Sequence, residues 1–351
     1  MTKAPTIEIA GRAIGQGHAP YLVAELSGNH NGELSRALEL VDAAAEAGAD
    51  AVKLQTYTAD SLTIDIDGPG FVVEDGLWKG RRLYELYQEA HTPWDWMAPL
   101  FERGRERGVA VFSSPFDHAA VDLLEALDAP AYKIASFEMC DIPLVERCAR
   151  TGRPLVISTG MATEDEIAET VAAAKAAGDG GIVLLHCVSG YPSPAEDMNL
   201  RTLPDMASRF GAAAGLSDHT LGTAVSVAAA ALGAVLIERH ITLRRADGGP
   251  DAAFSLEPEE FARLVTDVRT AYSALGEIDY DVKPSERANA VFRRSLYAVE
   301  DIAAGETLTA RNVRSIRPAT GLPPRDYGRV LGLRARAAIA RGTPLAWDLI
   351  K

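Results

Sequence analysis

Two histidines stand at matching points of two short motifs, His219 in "GLSDHT" (215–220) and His240 in "IERHIT" (237–242). Each closes an apolar run, so each falls where a buried strand meets a loop. Two imidazoles side by side at neighbouring strand ends leave most of an octahedral shell open. They would hold a divalent ion loosely and share it with substrate oxygens and water. A lone strand-end histidine is more often a hydrogen-bonded core residue than a ligand, and that reading stays open for either one. His186 and Cys187 lie within or just past another strand and are set aside as ligands.

Two lysines pose a second question. Lys53 in "AVKLQ" (51–55) and Lys133 in "AYKIAS" (131–136) sit inside apolar runs. A buried ammonium loses solvation or its proton, and a bound dianion would offset either loss. Ser114, Ser136, Ser158, Ser189 and Ser217 fall at the same level of the chain's repeating pattern, and their hydroxyls suit a phosphate. Two other readings remain open here. Each lysine can reach the cleft mouth or pair with Glu25 or Glu138, or a desolvated lysine can serve as the amine of a Schiff-base aldolase.

The elements that must hold these groups repeat in a regular beat. Apolar runs at 21–25, 51–55, 109–114, 131–136, 154–158, 182–187, 213–217 and 235–240 alternate with amphipathic or Ala-rich stretches such as "LSRALELVDAAAEAGA". Near-continuous apolar runs indicate parallel strands buried on both faces. Eight strand–helix repeats over roughly 250 residues predict a (β/α)8 TIM barrel. An open doubly wound sheet fits less well, because no G-x-G-x-x-G follows the first strand. In a barrel, catalytic groups gather at the C-terminal strand ends, and here nearly every run ends in polar residues. The stretch "GPGFVVEDGLWKGRRLYELYQ" (68–88) is a long excursion that either covers a substrate or forms a peripheral cap, and "HTPWDW" (91–96) reads as a helix start.

The helical pattern ends near residue 280. We expect a catalytic barrel over 1–280, a polar linker over 281–290 and a small, mostly β module over 291–351. The 351-residue chain is 47% hydrophobic, enough for a substantial core, and no apolar run approaches the ~20 residues of a membrane helix. A net charge of −14 argues against nucleic-acid binding but not against an anionic substrate held by a few cations in one cleft. The first residues lack the apolar stretch of a secretion signal, and three cysteines show no metal-type spacing, so a cytoplasmic setting is expected.

The ordered motifs "AELSGNHNG", "GADAVKLQTY", "SSPFD", "YKIASFE", "STGMAT", "YPSPAEDMNL", "GLSDHTLG", "IERHIT" and "GGPDAAFSLEP" resemble the sialic acid synthase family. These enzymes condense phosphoenolpyruvate with an amino sugar. The tail, with "RRSLYAVEDIAAGE" and "VRSIRPATG", resembles their antifreeze-like (SAF) domain. Within the family, "GLWKGRRLYELYQEAHTPWDW" and "GGPDAAFSLE" are most similar to the branch that makes pseudaminic acid from 2,4-diacetamido-2,4,6-trideoxy-L-altrose. The N-acetylneuraminate and legionaminate synthases are the near alternatives. The resemblance implies that Lys53, Ser114, Lys133, Ser136 and Ser217 bind phosphoenolpyruvate. Ser189 stands where the family often has Asn, so its shorter side chain would reach the phosphate only through water. His219 and His240 match the ligands of a divalent metal ion, Mn2+ or Mg2+, and Glu25 matches a group that orients water. Gln55, Glu138, Tyr191 and Asp251 match sugar contacts. Arg317 matches an arginine that one subunit's SAF domain inserts into the partner's barrel in a homodimer. Ala319 and Thr320 depart from the family's usual "RPG" there.

Overall fold

The computed structural model describes residues 6–351, and the chain divides into two compact units, 1–276 and 277–351. The first unit opens with a hairpin of β1 (Ile7–Ile9) and β2 (Arg12–Ile14). Strand β3 (Tyr21–Glu25) leads to helix α1 (Leu34–Glu46), and β4 (Ala51–Thr56) to α2 (Ala59–Leu62), α3 (Leu83–Ala90) and α4 (Trp94–Arg107). Then come β5 (Ala110–Pro115) and α5 (His118–Ala126), β6 (Tyr132–Ile134) and α6 (Ile142–Ala149), and β7 (Leu155–Ser158) and α7 (Glu164–Ala177). Strand β8 (Ile182–Cys187) is followed by α8 (Thr202–Phe210), β9 (Ala213–Ser217) by α9 (Ala224–Ala231), and β10 (Leu236–His240) by α10 (Pro258–Leu275). Strands β3 to β10 pair in parallel in chain order, and β10 returns to β3, so the sheet is a closed eight-stranded barrel rather than an open one.

Period-2 alternation along each strand separates two environments. Leu22, Val52, Leu54, Ile157, Leu184 and Leu216 belong to the large core cluster that the helices also build. The residues between them form the barrel interior, and their character changes along the barrel axis. Tyr21, Val23, Phe112, Val156, Val183 and Leu236 fill its lower part as one cluster, which Ile7, Ile9 and Ile14 of the hairpin join. The hairpin, with no counterpart among the expected elements, packs apolar residues into that end. One or two interior positions further along, the same strands carry Glu25, Lys53, Ser114, Lys133, Ser158, Ser217 and Glu238, all buried. Between the two zones lies Gly215, where a Cβ would strike the Leu236 carbonyl, so only a hydrogen fits.

Strand β6 is shorter than the expected run of 131–136, leaving Ser136 and Glu138 on the following loop. Capping is explicit where helices begin close to the site. Asp117 accepts from Ala120 N ahead of α5, and Thr163 and Glu166 form a reciprocal capping box on α7. In the second unit, β11 (Ser295–Ala298) and β12 (Val313–Ile316) pair antiparallel over a core of Leu296, Ile302, Leu308, Ile339 and Leu345, with the short helix α11 (Tyr327–Val330) beside them. The 281–290 stretch, expected as a linker, clusters with this unit and lies largely within a 3-10 helix over Pro284–Phe292.

Candidate active site

A cavity of about 560 Å³ opens at the C-terminal end of the barrel. Four charged groups meet in its floor. Lys53 Nζ lies 2.7 Å from Glu25 Oε2, and Glu238 Oε1 stands 3.8 Å from Lys53 Nζ and 3.9 Å from Lys133 Nζ. Lys53 also donates to Ser114 Oγ at 3.3 Å, and Ser217 Oγ donates to Glu238 Oε1 at 3.2 Å. The lysine pairing foreseen as an alternative thus occurs, with Glu25 for Lys53 but with Glu238 rather than Glu138 for Lys133. Burial pushes the Glu25 carboxyl up to about 7 against the pull of Lys53. Burial alone would lower Lys53, but Glu238 and Glu25 more than restore it, whereas burial holds Lys133 below the usual lysine range. Burial opposes ionisation of Glu238, and the two ammoniums outweigh it, so this carboxyl is lowered.

Ser158 lines the same cavity, and its Oγ and that of Ser189 are buried without a hydrogen-bond partner. Ser136 Oγ accepts from Gly160 N at 3.2 Å. A Cβ at Gly160 would meet both Ser189 Oγ and Ser136 Oγ, so a side chain there would displace the two hydroxyls. Unpaired buried hydroxyls are uncommon in folded proteins and call for a ligand. All five expected serines therefore gather on this floor or its adjoining wall.

The histidines also line the cavity, with ring centroids 5.4 Å apart, Tyr191 at 4.6 Å from His219 and Phe254 at 4.9 Å from His240. His219 Nδ1 contacts the Val188 carbonyl at 3.1 Å; a carbonyl only accepts, so Nδ1 carries the proton and Nε2 is left as the ligating atom. Burial, with His219 and Lys53 nearby, holds His240 well below the ordinary histidine range, and its Nδ1 is buried and unpartnered. A neutral imidazole with an unsatisfied nitrogen fits a metal ligand. Among the described residues no group of three His, Cys, Asp or Glu side chains could hold an ion, so any ion here takes two protein ligands and draws the rest from substrate and water. His186 turns away and meets the Met198 carbonyl through Nε2 at 2.5 Å.

A third set lines the outer part of the cavity. Gln55 Nε2 donates to Glu25 Oε1 at 2.8 Å and to Ser27 Oγ at 3.2 Å, and Ser27 Oγ donates to Asp251 Oδ2. Burial raises Glu138 to about 7, and its Oε2 has no partner. Trp78, from the excursion after β4, donates Nε1–H to the Pro250 carbonyl at 2.9 Å and places its ring 5.5 Å from Tyr191. The excursion therefore supplies part of the wall. Glu238, Ser27, Trp78 and Phe254 were not among the expected site residues. Glu238 was findable, since it lies two positions before His240 and so shares its face of β10. The others depend on contacts between distant segments that no local pattern announces. Arg317 lies exposed after β12 in the second unit.

The NeuB family profile matches residues 40–280, and the SAF domain profile matches 293–351. The chain is 42% identical over 333 residues to a pseudaminic acid synthase of Helicobacter pylori, covering 95% of this chain and 98% of that protein. It is 44% identical over 325 residues to a pseudaminic acid synthase of Campylobacter jejuni, covering 93% and 95%. Its fold matches the crystal structure of an N-acetylneuraminic acid (sialic acid) synthetase from Leptospira borgpetersenii in complex with citrate, with a TM-score of 0.74 at 30% identity, covering 82% of this chain and 96% of that one. With a family match over 40–280, an SAF match over 293–351 and relatives 42–44% identical over most of its length, the chain belongs to the NeuB family.

Proposed function

We propose that this protein is a pseudaminic acid synthase, condensing phosphoenolpyruvate with 2,4-diacetamido-2,4,6-trideoxy-L-altrose and water to give pseudaminic acid and phosphate. The observation that carries the reading is the buried Lys53–Lys133 pair, with the free Ser158 hydroxyl, two histidines and a near-neutral carboxyl lining the same cavity. The choice of sugar rests on 42–44% identity to pseudaminic acid synthases against 34–35% to N,N'-diacetyllegionaminic acid synthases and 30% to an N-acetylneuraminic acid synthetase.

Lys53 and Lys133 hold the phosphate and carboxylate of phosphoenolpyruvate, with Ser114, Ser136, Ser158 and Ser217 as neutral donors and Ser189 acting through water. In a floor this buried, such contacts act in a low effective dielectric and need no rearrangement during the reaction. Gln55, Glu138, Tyr191 and Asp251 hold the sugar with its aldehyde toward the enol carbon. His219 and His240 would hold a divalent ion, Mn2+ or Mg2+, which when bound would supply Lewis-acid polarisation of that aldehyde. The C=C π pair of the enol forms a C–C bond to the aldehyde carbon, the aldehyde C=O π pair moves to its oxygen, which takes up a proton to become a hydroxyl, and positive charge builds on the phosphate-bearing carbon. Glu25 accepts a proton from the water that adds there. The added hydroxyl then loses its proton and forms the ketone C=O as the C–O bond to phosphate breaks, and phosphate leaves with the bonding pair. No lysine becomes covalent. We assign the SAF module to a homodimer in which Arg317 serves the partner's barrel. The unpaired Cys140, Cys148 and Cys187 support a reducing, cytoplasmic setting.

The test is phosphate release from phosphoenolpyruvate with Mn2+ and a panel of the L-altrose, mannosamine and legionaminate-type sugars. Turnover with the L-altrose sugar, abolished by chelator, is expected; no turnover with any amino sugar sinks the reading, and preference for another sugar moves it within the family. One observation favours a Schiff-base aldolase, the lowered Lys133. That enzyme would be trapped by borohydride and indifferent to chelator.

A further inference from the structure

Ser27 is buried in the cavity wall with φ at +47°, a backbone region that non-glycine residues enter at an energetic cost. Glycine would adopt it freely, so the serine side chain has to account for the residue found there. Its hydroxyl is fully used: it donates to Asp251 Oδ2 and accepts from Gln55 Nε2 at 3.2 Å, while the same amide donates to Glu25 Oε1 at 2.8 Å. A continuous chain of bonds thus runs from the loop after β10, which carries Asp251, to the carboxyl beside Lys53.

The loop itself does not need Ser27. Asn29 Nδ2 donates to Ile241 O at 2.8 Å and to Ser255 Oγ at 2.9 Å, and Asn31 Nδ2 donates to Gly248 O at 3.2 Å. Three bonds from neighbouring asparagines already tie the loop after β3 to the loop after β10. What Ser27 adds is the aim of one side chain. By fixing Oδ2 of Asp251, it limits rotation of a carboxylate that lines the cavity.

We propose that Ser27 is a positioning residue for sugar recognition, presenting Asp251 as an acceptor to a hydroxyl or amide N–H of the sugar and fixing it relative to Gln55 and Glu25. This inference rests on the proposed synthase activity.

Ser27→Ala keeps the strained backbone and removes the hydroxyl; Ser27→Gly removes both. Each should raise the KM for the sugar by at least about tenfold and leave the KM for phosphoenolpyruvate within about twofold. In an Asp251→Asn background, Ser27→Ala should add little, because the two side chains act as one unit. Melting temperature should hold or rise in Ser27→Gly. An unchanged sugar KM in both variants, an effect in Ser27→Gly alone, or full additivity with Asp251→Asn overturns the proposal while leaving the synthase reading intact. Failure of the unaltered enzyme to turn over any amino sugar overturns both.

Discussion

A carboxylic acid held near neutrality can change its charge within a catalytic cycle at small cost, and Glu25 is such a group. Burial raises it to about 7, while Lys53 at 2.7 Å keeps its ionised form accessible. To accept a proton from water it must first be ionised, so kcat/KM should fall as pH drops below about 7. Glu25→Gln cannot titrate, and should lose this limb together with at least about a hundredfold in kcat. A pH–rate profile of both enzymes checks this; a limb that persists in the variant assigns it elsewhere. Gly160 offers a second test. An added methyl displaces the Ser136 and Ser189 hydroxyls, which can rotate away, so Gly160→Ala should fold normally yet raise the KM for phosphoenolpyruvate by about tenfold. Thermal melts beside substrate titrations separate the two effects. Most chemistry-bearing side chains were legible because polar residues inside apolar runs stand out. Their partners were less so: Lys133 turned out to face Glu238 on another strand, and only three-dimensional closure of the barrel creates that encounter.

The ends of β9 and β10 carry one histidine each, and the residues just before them explain how the two stay in register. Asp218 and Arg239 point out of the barrel, where Arg239 Nη1 meets Asp218 Oδ2 at 2.6 Å and Arg239 Nη2 donates to Thr220 O at 2.8 Å. Asp218 also accepts from Thr220 Oγ1 at 2.7 Å and from Ser226 Oγ of α9 at 2.5 Å. This buried pair clamps the two strand ends to each other and to the helix between them. Breaking one side of such a pair costs about 3–5 kcal/mol, so Asp218→Ala should lower the melting temperature by roughly 10 °C. It should also weaken Mn2+ binding measured by calorimetry, because His219 and His240 lose their fixed spacing. An Asp218→Ala protein that melts lower but binds Mn2+ unchanged would show the clamp to be structural only. The barrel strands were readable because burial on both faces leaves uninterrupted apolar runs. The excursion after β4 stood out as a long loop, but the choice between substrate cover and peripheral cap stayed open, since its place in the wall depends on Trp78 reaching Pro250 from far along the chain. The N-terminal hairpin escaped notice for a different reason: three-residue strands are too short to show a period.

Charge is unevenly divided over the whole chain. Residues 277–351 carry 13 Lys and Arg against 9 Asp and Glu, leaving 22 against 40 in residues 1–276. Opposite net charges suit the proposed docking of an SAF module on a barrel, whether its own or a partner's. Helical periodicity ends near residue 280, but no pattern in one chain says which barrel Arg317 serves. Subunit mixing decides it. Arg317→Ala leaves a chain with an intact barrel and an altered tail, while Glu25→Gln leaves the reverse, and each homodimer should be nearly inactive. If the tail acts on the partner's barrel, a mixed dimer pairs the intact barrel with the intact tail. Random reassembly at equal concentrations makes about half the dimers mixed, each with one working site, so activity should recover to about a quarter of the unaltered enzyme. If the tail acts on its own barrel, no mixed dimer holds a complete site, and mixing restores nothing.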